Sequence, residues 1–311
     1  MKKAIEAAVS LAYTYLLGTK WVEFSAMRHG PSTAADWVGG FIRRCLPDLP
    51  GFDGQINFRF SAKSSTDFDS EINWAKFTGE PTRGWYHHLD CHGYGHPNFS
   101  LVGLATFNYD EVKAMYPLPE KDTHGWIKSQ FEVTALALQC DWWKPPGIGS
   151  LNWYTNGAYS YLAECFKTRT DTSYWWSTNA YGWHQVAELD LEQHFDLKCW
   201  LYERLQASDP LSNRYGEICP FTMALSLMTA LKVEPNHPSI QSLAELLLET
   251  QQADGSWRSP AILRIPKPNV VKPTLGCRRA AEDKGLLTTA TITQALKRFA
   301  NHCGKSDPDA R

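Results

Sequence analysis

The sequence predicts an all-α protein built as an α/α toroid, a barrel of helical hairpins in which inner helices surround a central cavity and outer helices cover them. Three observations carry that expectation. Segments that open on Ser, Thr or Asp and continue into small and apolar residues recur at intervals of a few tens of residues. Small residues concentrate on alternate segments, which lets inner helices approach one another. Convincing alternation of polar and apolar residues is scarce; QINFRFS at 55–61 is the only short strand it suggests.

The elements follow in chain order. Ala4–Leu17 has apolar residues at helical spacing and reads as an amphipathic, outer-type helix. STAADWVGGFIRR from Ser32 and STDFDSEINWAKF from Ser65 each start on a capping residue, and FEVTALALQC from Phe131 continues the series. YTNGAYSYLAECF from Tyr154, ELDLEQHFDLKCWLYERL from Glu188 and FTMALSLMTALKV from Phe221 come next. Ile240–Thr250 is a second amphipathic helix, and TTATITQALKRF from Thr288 closes the series. LPDLPGFDGQ, KPPGIGS and PKPNVVKP carry the turn chemistry of loops. No internal linker is evident, so residues 1–303 read as one domain and 304–311 as a short polar tail.

Composition narrows the function. In 311 residues, 43% are hydrophobic and 21% charged, as expected of a soluble globular protein. The net charge of −2 and the lack of a Lys/Arg run give no footprint for a nucleic-acid backbone. The N-terminal stretch carries Glu6 within its apolar region and lacks a cleavage-like end, and no apolar run is long enough to span a bilayer. A cytoplasmic protein is expected. The eight cysteines include no C-x-x-C pair and read as reduced thiols. Aromatic residues make up 13% of the chain, with 13 Trp, 13 Tyr and 14 Phe. That load serves either a deep aromatic cavity or a Trp-rich core.

After the apolar run ending the second amphipathic helix comes Gln251-x3-Gly255-x-Trp257. This resembles the QW motif of squalene-hopene cyclases, oxidosqualene cyclases and related class II terpene cyclases. WRSPAILRIPKP followed by DKGLLTTATITQAL is similar to the last hairpin of small, single-domain proteins in the prenyltransferase and squalene-cyclase superfamily. The resemblance implies a structural role for Gln251, which would tie helix ends together, and for Trp257, which would stack beneath it.

The family also carries D-x-D-D at the start of an inner helix, its middle aspartate protonating an alkene or epoxide. The nearest match is Asp67-Phe68-Asp69-Ser70, followed by Glu71. The resemblance makes Asp69 the acid and Asp67 its neighbour, while Ser70 stands where the family has a third carboxylate. Alkene protonation needs a carboxyl group that keeps its proton near neutral pH, and adjacent carboxylates help because both do not readily ionise together. Ser70 weakens that device, and Glu71 or Asp53 are the groups placed to restore it. Read without the resemblance, STDFDSE is an N-cap whose acidic residues suit the helix dipole.

A second constellation runs from Trp85 through Tyr86, His87, His88, Asp90, Cys91, His92 and Tyr94 to His96, with four of the ten histidines in ten positions. His88, Asp90 and His92 are candidate acid/base groups, and Trp85, Tyr86, Tyr94 and His96 candidate substrate contacts. The same density suits zinc or iron, with His87, His88, Cys91, His92 and His96 as alternative ligands. Without the metal, no cofactor is required. In TRTDTSYWWSTNAYGWH at 168–184, the resemblance gives Tyr174, Trp175, Trp176 and Trp183 a role in stabilising carbocations through their ring faces. Aromatic packing at a turn explains each ring equally well. Asp36 and Asp190 stand near helix starts without a motif.

The resulting expectation is a class II cyclase-like enzyme that cyclises or isomerises a hydrophobic polyene or prenylated metabolite by protonation. Alternatives are a metal-dependent enzyme using residues 87–96, a hydrophobic-ligand carrier that has lost its chemistry, and a toroidal enzyme acting on sugars. An apolar substrate also leaves room for peripheral contact with a membrane. The sequence leaves the oligomeric state open.

Overall fold

The computed structural model describes residues 1–19, 41–42, 45–50, 131–139, 152–173, 176–265, 275–282 and 284–305. Among the described residues the helices are α1 (Lys2–Gly18), α2 (Phe131–Gln139), α3 (Asn152–Lys167), α4 (Ala180–Ala187), α5 (Phe195–Ala207), α6 (Pro220–Val233), α7 (Ser239–Glu249) and α8 (Leu286–Lys305). Leu263–Ile265 (β1) and Arg278–Ala280 (β2) form a two-stranded sheet, which the sequence did not signal. The chain is thus predominantly helical. Its described residues divide between two units, one drawn from 1–62, 201–263 and 279–311 and the other from 63–200 and 264–278. The motif STDFDSE and the strand suggested at 55–61 lie outside the described residues.

In the first unit α6 is buried on every face from Pro220 to Ala230, which requires a helix apolar all round. Pro220 occupies the first turn, where its missing N–H leaves no gap in the ladder. Three of the hydroxyls that α6 and α8 bury are satisfied within their own helix: Thr229, Thr291 and Thr293 donate to the carbonyls of Leu225, Leu287 and Thr289, each at 2.7–2.8 Å. α1 buries Ile5, Ala8, Ala12 and Leu16, one per turn, and packs on α8. α7 does the same with Ile240, Leu243, Ala244 and Leu247 and packs on α6.

The turn after α7 joins these helices. Gln251 Nε2 donates to the carbonyls of Ala8 on α1 (2.9 Å) and Gly255 (3.1 Å). Trp257 is fully buried; its indole donates to the Leu247 carbonyl at 2.6 Å, and its backbone N–H to Thr289 Oγ1 at 3.0 Å. Gly255 has φ +86, and a Cβ there would lie 2.5 Å from the Leu11 carbonyl oxygen. Only glycine fits both the left-handed backbone and the approach of α1.

In the second unit α2 packs on α3 and α4. Phe131 meets Phe166 edge-on, with centroids 5.3 Å apart at 85°, which suits the quadrupoles of both rings. A Cβ on Gly182 would lie 2.8 Å from the Phe131 ring, so glycine permits the close approach of α4 to α2. The segment from Glu188 begins with turns, and α5 starts only at Phe195. The reason is local: Asp190 is exposed and accepts from Glu192 N and Gln193 Nε2, holding a turn that competes with a helix.

Two substitutions test the 251–257 turn. Gly255→Ala is expected to lower stability by about 2 kcal/mol or more through backbone strain and the clash with α1. Trp257→Phe removes the indole donor while the Thr250 hydroxyl still serves the Leu247 carbonyl at 3.0 Å, at a cost of about 0.5–1.5 kcal/mol. Urea denaturation midpoints measure both, and an unchanged midpoint for Gly255→Ala contradicts this description of the turn.

Candidate functional site

The second unit gathers its buried polar side chains around residues 171–185. Asp171, Ser173, Ser177, Thr178, His184 and Gln185 are each at most 6% exposed, and Glu132 and Arg264 are 2% exposed. Buried polar groups at this density persist only if the fold supplies partners. Ser173 has every polar atom engaged. Its hydroxyl donates to Glu132 Oε1 on α2 at 2.9 Å and accepts from Trp176 N at 3.1 Å. Its carbonyl accepts from the Arg264 guanidinium at 2.9 Å, and its N–H donates to Asn179 Oδ1 at 3.3 Å. One small residue therefore links α2, β1 and the start of α4.

Adjacent groups complete the segment. Trp183 Nε1 donates to Asp171 Oδ2 at 2.9 Å, and Thr178 Oγ1 accepts from Ala180 N at 3.2 Å. Trp176 stacks on Tyr181 with centroids 4.0 Å apart at 18°, and both residues are buried. His184 Nδ1 lies 3.8 Å from Glu188 one turn on, and Gln139 Nε2 reaches the Gln185 carbonyl at 2.6 Å. Chemically, the cluster combines two carboxylates, one guanidinium and neutral hydrogen-bonding groups in a desolvated setting. Such a setting strengthens each electrostatic contact.

Trp176, Tyr181, Trp183, Asp171 and His184, grouped by the sequence, thus share one segment. Trp176 turns one ring face to Tyr181, while Trp183 is half-buried with its N–H held by Asp171. Gln251 and Trp257 occupy the turn of the first unit. Asp67, Asp69, Trp85, Tyr86, His87, His88, Asp90, Cys91, His92, Tyr94, His96, Tyr174 and Trp175 lie outside the described residues, as do Asp36, Asp53 and Glu71. Sequence reasoning missed Glu132, Ser173 and Arg264. Their contacts span 41 and 91 residues, and nothing local to each marks it.

One carboxyl group of the first unit is strongly perturbed. Glu282 precedes α8, and its carboxylate accepts from Leu287 N (2.7 Å), Thr288 N (3.0 Å) and the Thr288 hydroxyl. Burial of the carboxyl group outweighs these donors and pushes its pKa up to about 7. The residue as a whole is only half-buried, its carboxyl end being the part removed from water.

Solved structures similar in fold to this chain include type II terpene cyclases. MstE from Scytonema, a type II terpene cyclase solved without ligand, is 16% identical; the match covers 96% of this chain and 99% of that one, with a TM-score of 0.59. An MstE variant in complex with its substrate, geranylgeranyl dihydroxybenzoate, is also 16% identical, with 97% and 99% covered and a TM-score of 0.57. A protein from Actinoplanes is 18% identical, with 95% and 99% covered and a TM-score of 0.61. These likenesses establish a terpene cyclase-like fold. No protein-family model and no curated protein matches the chain.

Glu282 sets a testable pH dependence. Its carboxyl pKa rises from 4.5 to about 7 on folding, so the folded state holds this proton more tightly than the unfolded state. The associated stability is fully present below the unfolded value and is lost as pH rises through the folded value. Glu282→Gln, which cannot ionise, is expected to lose this fall. Thermal midpoints of both proteins from about pH 4.5 to pH 8 should show the wild type losing ground to the variant; parallel curves would contradict the shift.

Proposed function

We propose that the protein is a class II terpene cyclase-like enzyme that cyclises or isomerises a prenylated small molecule by protonation. The observation that carries this reading is the end-to-end likeness to a type II terpene cyclase whose variant holds geranylgeranyl dihydroxybenzoate. A match over 99% of that chain also supports a substrate of prenylated-metabolite size in preference to squalene. The arrangement proposed is an α/α toroid enclosing an apolar cavity.

In this reading Asp69 delivers its proton to a terminal alkene. A C–H bond forms, the π bond breaks, and a tertiary cation develops at the other carbon. The π electrons of the next alkene attack that cation, forming a C–C bond and passing the charge along the chain. Loss of a proton from carbon ends the sequence, so substrate and product are isomers. Asp67 tunes the acid, and aromatic faces from Trp85, Tyr86, Tyr94 and the 174–183 segment stabilise the moving charge. Asp90, His88 and His92 are the groups proposed to handle protons at the polar side. The sequence of steps uses a carboxyl proton and calls for no metal or cofactor.

The test pairs two variants. Asp69→Asn should reduce turnover of a geranylgeranylated phenol by at least about a hundredfold while leaving its circular dichroism spectrum and ligand affinity unchanged. Metal analysis of dialysed wild-type and His92→Ala proteins should give no stoichiometric zinc or iron. One equivalent of metal in the wild type that is lost with His92→Ala would move the chemistry to residues 87–96. Unchanged turnover in Asp69→Asn removes Asp69 as the acid.

A further inference from the structure

The polar cluster at 171–185 contains a hydroxyl that its own contacts do not explain. Ser177 is fully buried, and its hydroxyl has no hydrogen-bond partner. Its neighbours in the chain behave differently, since Ser173 engages all its polar atoms and Thr178 accepts from Ala180 N. A hydroxyl buried without a partner costs about 1–3 kcal/mol. Alanine is smaller by that one atom, so packing gives no reason for serine there.

We propose that Ser177 is a binding residue whose hydroxyl donates a hydrogen bond to an oxygen at the polar end of the substrate. The proposal rests on the prenylated-substrate reading above and specifies that substrate further. Its polar end is a neutral oxygen, such as a phenol, an alcohol or a carbonyl. Burial sets this choice: Ser177 is fully buried, and a single hydroxyl offers one neutral donor, too little to offset the desolvation of an ionised group. The rings of Trp176 and Tyr181, on either side of Ser177 in the chain, supply apolar surface for the hydrocarbon adjoining that oxygen.

The experiment uses two probes of equal length, a geranylgeranylated phenol and the matching geranylgeranylbenzene, titrated by quenching of tryptophan fluorescence. The full-length wild type should bind the phenol about fivefold to tenfold more tightly than the benzene, the worth of one buried hydrogen bond. Ser177→Ala should bind the two probes equally, with its affinity for the benzene unchanged and its thermal midpoint equal to the wild type or higher. If Ser177→Ala keeps the preference for the phenol, the assignment falls while the prenylated-substrate reading stands. A lower thermal midpoint for Ser177→Ala shows that the hydroxyl serves the fold and also overturns the assignment. If the wild type binds neither probe, the prenylated-substrate reading fails and the assignment fails with it.

Discussion

The first unit depends on the hydrogen bond from the Trp257 indole to the Leu247 carbonyl, because that bond fixes a large side chain where three helices meet. α7 ends with carbonyls that have no partner within the helix, as every helix does. The indole satisfies one of them from inside the core, at 2.6 Å. With the ring so placed, the Trp257 backbone N–H reaches Thr289 on α8, and Gln251 reaches Ala8 on α1. Replacing the ring by a smaller apolar group would leave a void and remove the stronger of two donors to this carbonyl, which the Thr250 hydroxyl also serves at 3.0 Å.

The same principle holds the second unit, with different chemistry. There the keystone is Ser173, whose small volume allows four polar contacts to converge on one residue. Arg264 donates to a carbonyl of that residue, so a buried charge is stabilised by a dipole the backbone already presents. Such a network specifies a unique arrangement, since any shift of residues 171–173 or 176–179 breaks several contacts at once. The segment is thereby stiffened where its aromatic rings lie. In the proposed reading, where these rings face a ligand, a pre-ordered face binds without the entropy cost of ordering.

Much of the helical framework is legible in the sequence because it rests on local periodicity. The helices at 2–18 and 239–249 coincide with the amphipathic runs to within two residues at either end. The wholly apolar FTMALSLMTALKV becomes the buried α6. α4 is another matter. AYGWHQVA is poor in strong helix formers. It is a helix because Gly182 lets it seat against Phe131, a contact made by tertiary structure. Glu132 shows the same limit in a candidate site: within FEVTALALQC it reads as one polar residue of a helix, and only Ser173, 41 positions away, gives it a buried partner. The passage between the two units leaves no linker signal either. Among the described residues it falls inside α5, β1 and β2.

Ser70 in place of a third carboxylate raises the question of whether Asp69 can still hold a proton at neutral pH. Two physical devices raise a carboxyl pKa, a neighbouring like charge and removal from water. Glu282 separates them. No carboxylate is among the causes of its shift, and three donors together with Arg258 favour its charged form, yet burial alone brings it to about 7. In this chain, then, desolvation outweighs opposing hydrogen bonds by enough to keep a carboxyl group half-protonated at neutrality. An aspartate in a dry, apolar cavity needs no triad of acids to act as a proton donor. Within the proposed mechanism the third carboxylate is then dispensable, whereas an apolar surrounding for Asp69 is not.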